Sequence, residues 1–121
     1  MILRLPNLLT KADRVFSQFV RNKYADHRDM VKCYTCDSWH KVQHIQAGHF
    51  ISRVWYGVRW NEKNVKPQCV LCNYGHDDEV SKKFSLALRK EHGQSVVKEL
   101  EGLKRRPLDR FEVIEIIEKY K

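Results

Sequence analysis

All four cysteines of the 121-residue chain fall in two C-x-x-C pairs, Cys33-Tyr34-Thr35-Cys36 and Cys69-Val70-Leu71-Cys72, with 32 residues between them. Each pair brings two sulfurs to one tight turn. Two such turns supply the tetrahedral thiolate set that a structural Zn²⁺ takes at Zn–S distances of about 2.3 Å. The competing readings are a pair of disulfides or a redox dithiol, against which stand the lack of a secretory signal and of any leftover cysteine. Zinc bound to four thiolates adds a net charge of about −2 to the chain. The insert between the pairs is longer than a minimal zinc ribbon needs, so it is expected to carry structure, and chemistry, of its own.

The elements that must position these residues can be read in outline. Thr10-Lys11-Ala12-Asp13 resembles a capping box, and Ala12, Val15, Phe16, Phe19 and Val20 recur at helical spacing, which predicts a helix over 11–24. The β-branched and aromatic content from Trp39 to Ile51 predicts a strand or hairpin, and 52–68 reads as an irregular loop. Beyond the second pair, Asp77 or Asp78 caps a predicted helix to about His92, with Val80, Phe84, Ala87 and Leu88 inward and Gly93 as its stop. A short helix over 95–103 follows. Asp109 then starts a terminal helix to Tyr120 whose apolar stripe is predicted to be Phe111, Ile114 and Ile117.

Length fits one domain, 1–121, and composition argues against disorder, repeats or a low-complexity linker. With no apolar run near the ~20 residues of a membrane span and no secretory h-region, the expectation is a soluble, intracellular protein without a membrane partner. Lys and Arg number 23 against 15 Asp and Glu, a formal charge of +8. Residues 1–60 carry ten basic and four acidic groups, so the positive field lies mainly in the N-terminal half. Such an excess favours a polyanion, because each cation placed on a phosphate releases a condensed counterion.

Three strings in the insert and around it carry a further signal: Gln46-Ala47-Gly48-His49-Phe50-Ile51-Ser52-Arg53, then Arg59-Trp60-Asn61-Glu62-Lys63-Asn64-Val65-Lys66-Pro67-Gln68, then Cys72-Asn73. With the cysteine pairs they set a His on a strand, an Asn before the second pair and an Asn directly after it. This order resembles the HNH, or ββα-metal, nucleases, in which two strands and a helix clamp one divalent cation. Together with Ala12-Asp13 and Phe16, the strings are more narrowly similar to the NinG, or Rap, recombination endonucleases of lambdoid phages, over roughly residues 10–95.

The resemblance implies an α+β fold: a treble-clef-like, zinc-braced ββα core over 33–76, with the helix over 11–24 before it and the helices of 77–121 after it. It implies a metal-dependent DNA endonuclease selective for branched recombination intermediates such as Holliday junctions and D-loops, leaving 5′-phosphate and 3′-hydroxyl ends. A phage-encoded enzyme of this kind would work in the host cytoplasm, and a symmetric junction cut twice would suit a homodimer. His49 takes the place of the general base, Asn64 that of the residue pinning the loop behind it, and Asn73 that of a ligand to Mg²⁺ or Mn²⁺. Asn73 has a plainer reading as a helix cap.

The chain departs from the pattern at Gly48, where many HNH enzymes carry a second ligand, Asp or His. The remaining ligands would then come from His76 and Asp77 first, with Asp78 and His44 as further candidates, or the cation would rest on Asn73, water and substrate phosphate. An inversion with His49 as metal ligand is the competing arrangement. Arg53, Arg59, Trp60, Lys63 and Lys66 are the candidate DNA contacts of the basic insert. Trp39, Trp55, Tyr56 and Trp60 are either core or stacking platforms for unpaired bases. Lys104-Arg105-Arg106 is either a solvated run or a phosphate contact, and His27, His40 and His92 read as surface residues. The alternative from another class is a non-catalytic zinc-binding module that holds nucleic acid.

Overall fold

The computed structural model describes residues 4–75 and 77–121. The first helix, α1, spans Leu5–Lys23 and so begins six residues before the predicted start. Pro6 sits in its first turn, where a missing N–H breaks no helical bond. Thr10 turns its hydroxyl back to the Pro6 carbonyl at 3.0 Å and caps nothing, which is why the apparent capping box misplaces the helix start. Leu8, Ala12, Val15, Phe16 and Val20 form the buried stripe.

Among the described residues four short strands follow, in two antiparallel sheets. β1 (Met30–Lys32) pairs with β2 (Trp39–Lys41), Val31 opposite His40. Their connecting turn holds the first cysteine pair, closed by Cys33 N–H to the Ser38 carbonyl at 2.7 Å. Asp37 sits there at φ 62°, a left-handed position that Asp tolerates better than most residues. A 3₁₀ turn over Val42–His44 separates β2 from β3 (Gln46–His49). β3 pairs with β4 (Val65–Gln68), Gly48 opposite Lys66 and His49 opposite Val65. The stretch predicted as one strand or hairpin is thus divided between two sheets.

The span 52–68 is also more ordered than its composition suggests, since it holds the short helix α2 (Tyr56–Arg59) as well as β4. Val65-Lys66-Pro67-Gln68 lacks the apolar alternation of a strand, yet all four residues are buried. Lys66 and Gln68 find polar partners that only the tertiary fold supplies.

The single-turn helix α3 (Val70–Tyr74) carries the second cysteine pair, with Cys69 at its N-cap. The next three helices lie within a residue or two of their predicted bounds: α4 (Asp78–His92), α5 (Val96–Leu103) and α6 (Arg110–Tyr120). Asp77 caps α4 by accepting the Val80 N–H at 2.9 Å, and Asp109 caps α6 by accepting the Phe111 N–H at 2.9 Å. The buried face of α6 differs from the predicted stripe. Val113 and Ile117 point inward, whereas Phe111 is 75% exposed and Ile114 39%. One turn of helix separates Val113 from Ile117, and that row meets α1.

Packing joins the ends of the chain to its middle. Val113 and Ile117 lie against Leu8, Ala12 and Val15, and the Tyr120 ring meets Phe16 edge-on at 4.9 Å. Phe16 and Val20 reach Val65 of β4 on the other side. A separate cluster of Phe84, Leu88, Val96 and Leu100 encloses Ile51 and Val58, which fixes the segment after β3 against α4 and α5. Each such aliphatic or aromatic side chain contributes about 1.5–3 kcal/mol by leaving water. Gly57 lets α2 approach the end of α5: its N–H donates to the Lys104 carbonyl at 3.3 Å, and a Cβ there would lie 1.8 Å from the Leu103 carbonyl oxygen. The result is an α+β chain in which, among the described residues, no helix is long and apolar enough to cross a membrane.

Candidate active site and metal centre

The β1–β2 turn and α3 bring the four cysteine sulfurs within 4.8 Å of one another. The Cys36 and Cys69 sulfurs are 3.7 Å apart. That matches the edge, about 3.8 Å, of a tetrahedron with metal–sulfur bonds of about 2.3 Å. The set could therefore hold a metal such as zinc, and it is the one group of three or more His, Cys, Asp or Glu side chains among the described residues that is so placed. Burial works against ionising Cys33, but the N–H groups of Cys69, Thr35 and Cys36 and the Thr35 hydroxyl outweigh it and bring the thiol down to about 6. Burial, with the charge on Cys33, pushes Cys69 up and Cys72 up to about 12. A divalent cation supplies the positive charge that turns such a cluster into four thiolates. His40, read from the sequence as a surface residue, stands behind the centre: its Nε2 is 2.7 Å from Ser38 Oγ, which lies 2.9 Å from Cys36 Sγ.

His49 ends β3. Its Nε2 lies 2.9 Å from the Arg59 carbonyl. A carbonyl only accepts, so Nε2 carries the proton and Nδ1 is left as the basic nitrogen. Burial lowers the pKa of the ring, and the Arg53 and Arg59 cations add to this against the raising effects of the Arg59 carbonyl and Asp13. The neutral imidazole is thus the form favoured near pH 7. Asn64, fully buried, closes the loop between β3 and β4: its Oδ1 accepts the Ile51 N–H at 2.8 Å, and its Nδ2 donates to the carbonyls of Ile51 and Val58, each at 3.0 Å. Its own carbonyl accepts the Phe50 N–H at 2.9 Å. These bonds hold in place the segment from Phe50 to Arg59 on which the imidazole leans.

Asn73 lies inside α3 and not at its start, so the capping role read for it falls away. Its Nδ2 donates to Gln46 Oε1 at 2.8 Å, and its Oδ1 has no hydrogen-bond partner among the described residues. Asn73 and His49 line one cavity of about 380 Å³ with Ala47, Phe50, Ser52 and Arg53. A second cavity of about 410 Å³ on the α1 side is lined by the same two residues together with Asp13, Arg21 and Arg59. At Gly48 a Cβ would fall 1.8 Å from Gln68 Oε1 and 2.9 Å from its Cγ. The buried Gln68 side chain, whose Nε2 donates to Thr35 Oγ1 at 3.1 Å, occupies the space a ligand at position 48 would need.

The remaining candidates divide. Asp77 serves as the cap of α4, and His76 lies outside the described residues. Lys66, predicted to touch DNA, is wholly buried: its Nζ bonds Tyr24 Oη at 2.8 Å and His92 Nε2 at 2.7 Å and lies 3.2 Å from a Glu91 oxygen. This corrects both the Lys66 contact and the surface reading of His92. Lys63 is paired with Glu99 at 3.1 Å. Arg59 is also turned inward, gripping Asp13 through Nε at 3.0 Å and Nη2 at 2.6 Å. Trp60 donates its indole N–H to the same carboxylate at 3.0 Å and packs against the α1 clusters, as core. Only Arg53 of the five is largely exposed, at 57% of its side chain, with one bond of 2.6 Å to Asp13 Oδ2.

Asp13 is the residue sequence reasoning passes over. In sequence it has a place in an apparent capping box, yet it lies one turn before Phe16 on α1 and gathers Arg53, Arg59 and Trp60 beside His49. Its other sequence signal is its place in the string Ala12-Asp13 with Phe16. Both Asp13 oxygens accept from Arg53, Arg59 and Trp60, so among the described lining side chains Asn73 is the one placed to offer a cation its amide oxygen. Such a site would fit Mg²⁺ or Mn²⁺ only with water and phosphate completing the shell.

Compared with known proteins, residues 4–121 match the family model described as bacteriophage Lambda NinG protein. No curated protein and no solved structure matches the chain.

Proposed function

Because the chain belongs to the bacteriophage Lambda NinG family, we propose that it is a metal-dependent DNA endonuclease of the HNH type, acting on branched recombination intermediates. The observation that carries this reading is the pinned imidazole. His49 donates through Nε2 to a backbone carbonyl, is biased to its neutral form, and shares a cavity with Asn73 beside the four-cysteine centre. In this reading β3, β4 and α3 would be the two strands and the helix turn of a ββα arrangement.

In the reaction, His49 Nδ1 takes a proton from water, whose oxygen attacks phosphorus. The P–O3′ bond breaks, and the 3′-oxygen leaves as a hydroxyl after protonation by solvent. Arg53, the exposed cation of the cavity, holds a nonbridging phosphate oxygen. Asn64, through the Val58 carbonyl, and Asp13, through the guanidinium, hold Arg59 behind the base. A divalent cation, held by Asn73 with water and phosphate, would stabilise the charge that builds on phosphate. Zinc on the four thiolates would fix the first sheet against α3 and so hold the site together.

Wild type and His49→Ala are compared on a synthetic four-way junction and a matched duplex, with Mg²⁺ and with Mn²⁺. The expected result is cutting of the junction by wild type, and cutting reduced about 10²–10⁴-fold in the variant with binding retained. The wild-type rate should fall as pH is lowered and His49 gains its proton, through a pKa below the ordinary histidine value of about 6.5. A wild type that binds but never cuts in either metal overturns the proposal. That outcome would favour a non-catalytic zinc-binding module. The Gln68 side chain filling the place of a ligand at position 48 is the observation on that side.

A further inference from the structure

The fold places a basic turn from the C-terminal half of the chain directly against the loop that leaves the candidate site. Ser52, Arg53, Val54 and Trp55 follow β3, and the Trp55 N–H closes this turn on the Ser52 carbonyl at 3.1 Å. Trp55 packs on the core cluster beneath it and is half-buried. Lys104 Nζ lies 5.1 Å from the centre of its ring, and the Arg105 guanidinium 4.9 Å. The junction is more than a meeting of long side chains. Gly57 allows the close backbone approach, and its N–H is bonded to the Lys104 carbonyl itself.

We infer that Lys104 and Arg105, ordered over the Trp55 ring, and Arg53 in the same loop as Trp55 form a track for the DNA sugar–phosphate backbone flanking the scissile bond. The ground for this is what the other cations are doing. Lys66 is buried, Arg59 is held inward by Asp13 and Lys63 is paired with Glu99, whereas Arg53 keeps one bond to Asp13 from a side chain that is 57% exposed, so the basic insert offers few charges to a partner. Arg53 and Arg105 are exposed. Arg53 lines the cavity of His49 and Asn73, and the turn that Trp55 closes on Ser52 carries Arg53 between them, which links the candidate site to the Trp55 ring through one loop. Lys104 keeps an ion pair with Glu101 at 2.8 Å, so it acts through ring and turn as much as through charge. The Arg105 guanidinium lies over an aromatic face with no carboxylate partner among the described residues, and its donors stay open to phosphate.

This inference names the substrate contact of the proposed nuclease and rests on that reading only for where the scissile bond lies. The test is binding of a fluorescent four-way junction and a duplex by the full chain, followed by anisotropy across a salt series. Wild type, Arg105→Ala, Lys104→Ala with Arg105→Ala, and Arg105→Lys are compared, each checked for folding by circular dichroism. Every phosphate that a variant no longer neutralises should flatten the slope of log affinity against log salt by about 0.9. The expected change is therefore about 0.9 for Arg105→Ala and up to about 1.8 for the double variant, with Arg105→Lys near wild type. A folded double variant with the wild-type slope overturns the track, as does wild type that binds neither DNA. Binding with the expected slopes but no cutting supports the track and removes the nuclease reading. Cutting with unchanged slopes does the reverse.

Discussion

Gly48 marks the departure of this chain from the HNH pattern, and its neighbour explains why the departure is stable. Any side chain at 48 has to displace Gln68, whose Oε1 is buried with no hydrogen-bond partner among the described residues. Two details that look unrelated in sequence, a missing ligand and a buried amide, are thus one packing solution. Gly48→Ala is expected to destabilise the protein by about 1–3 kcal/mol, the usual cost of overfilling a packed site. Adding Gln68→Ala should recover part of that loss, and urea unfolding of wild type, the two single variants and the double variant measures both effects. A Gly48→Ala protein as stable as wild type would remove the packing argument. The same geometry predicts that Gly48→Asp would not install the absent ligand, because the carboxylate would enter space already filled.

α3 ends at Tyr74, and α4 starts at Asp78 behind the Asp77 cap. The sequence makes this acidic residue a candidate metal ligand, and the hydrogen bond to Val80 N–H gives it a local task instead. Asn caps about as well as Asp but carries no charge. Asp77→Asn is therefore expected to keep both stability and cutting, while Asp77→Ala loses about 1 kcal/mol; loss of cutting in a stable Asp77→Asn protein would return the residue to the metal. The elements legible in the sequence are the ones with local punctuation of this kind. α4 and α6 announce themselves through Asp77, Gly93 and Asp109, and the cysteine pairs through their spacing. The start of α1 is misleading because Thr10 bonds within its own helix. β4 is hidden because a strand of Lys, Pro and Gln is buried by Tyr24, Glu91, His92 and Thr35, residues from 24 to 92 that no window of sequence brings together. The site is legible to a similar degree. His49, Asn64 and Asn73 stand in one neighbourhood, whereas the organising role of Asp13 depends on the approach of α1 to the loop.

At the scale of the molecule, the charge of +8 is less available than its size suggests. Ten of the 23 Lys and Arg side chains lie within 4.0 Å of a carboxylate among the described residues, the inward-turned Arg59 and the buried Lys66 among them. A divalent metal on the cysteines lowers the total further but fixes the geometry through which the remainder acts. Metal analysis should find about one zinc per chain. The two cysteine pairs also close a ring of chain around β2, β3, the Asn64 loop and β4. Such a ring is a natural unit of partial opening. In amide hydrogen exchange, removal of the metal should expose the β3–β4 ladder and the Phe50 and Ile51 amides by orders of magnitude while α1 and α6 stay protected; uniform loss of protection would show one cooperative unit instead. A cell short of zinc would then hold a chain that keeps most of its helices, survives proteolysis there, and has no working cleft. The metal would set the fraction of molecules that are competent, much as an activator does.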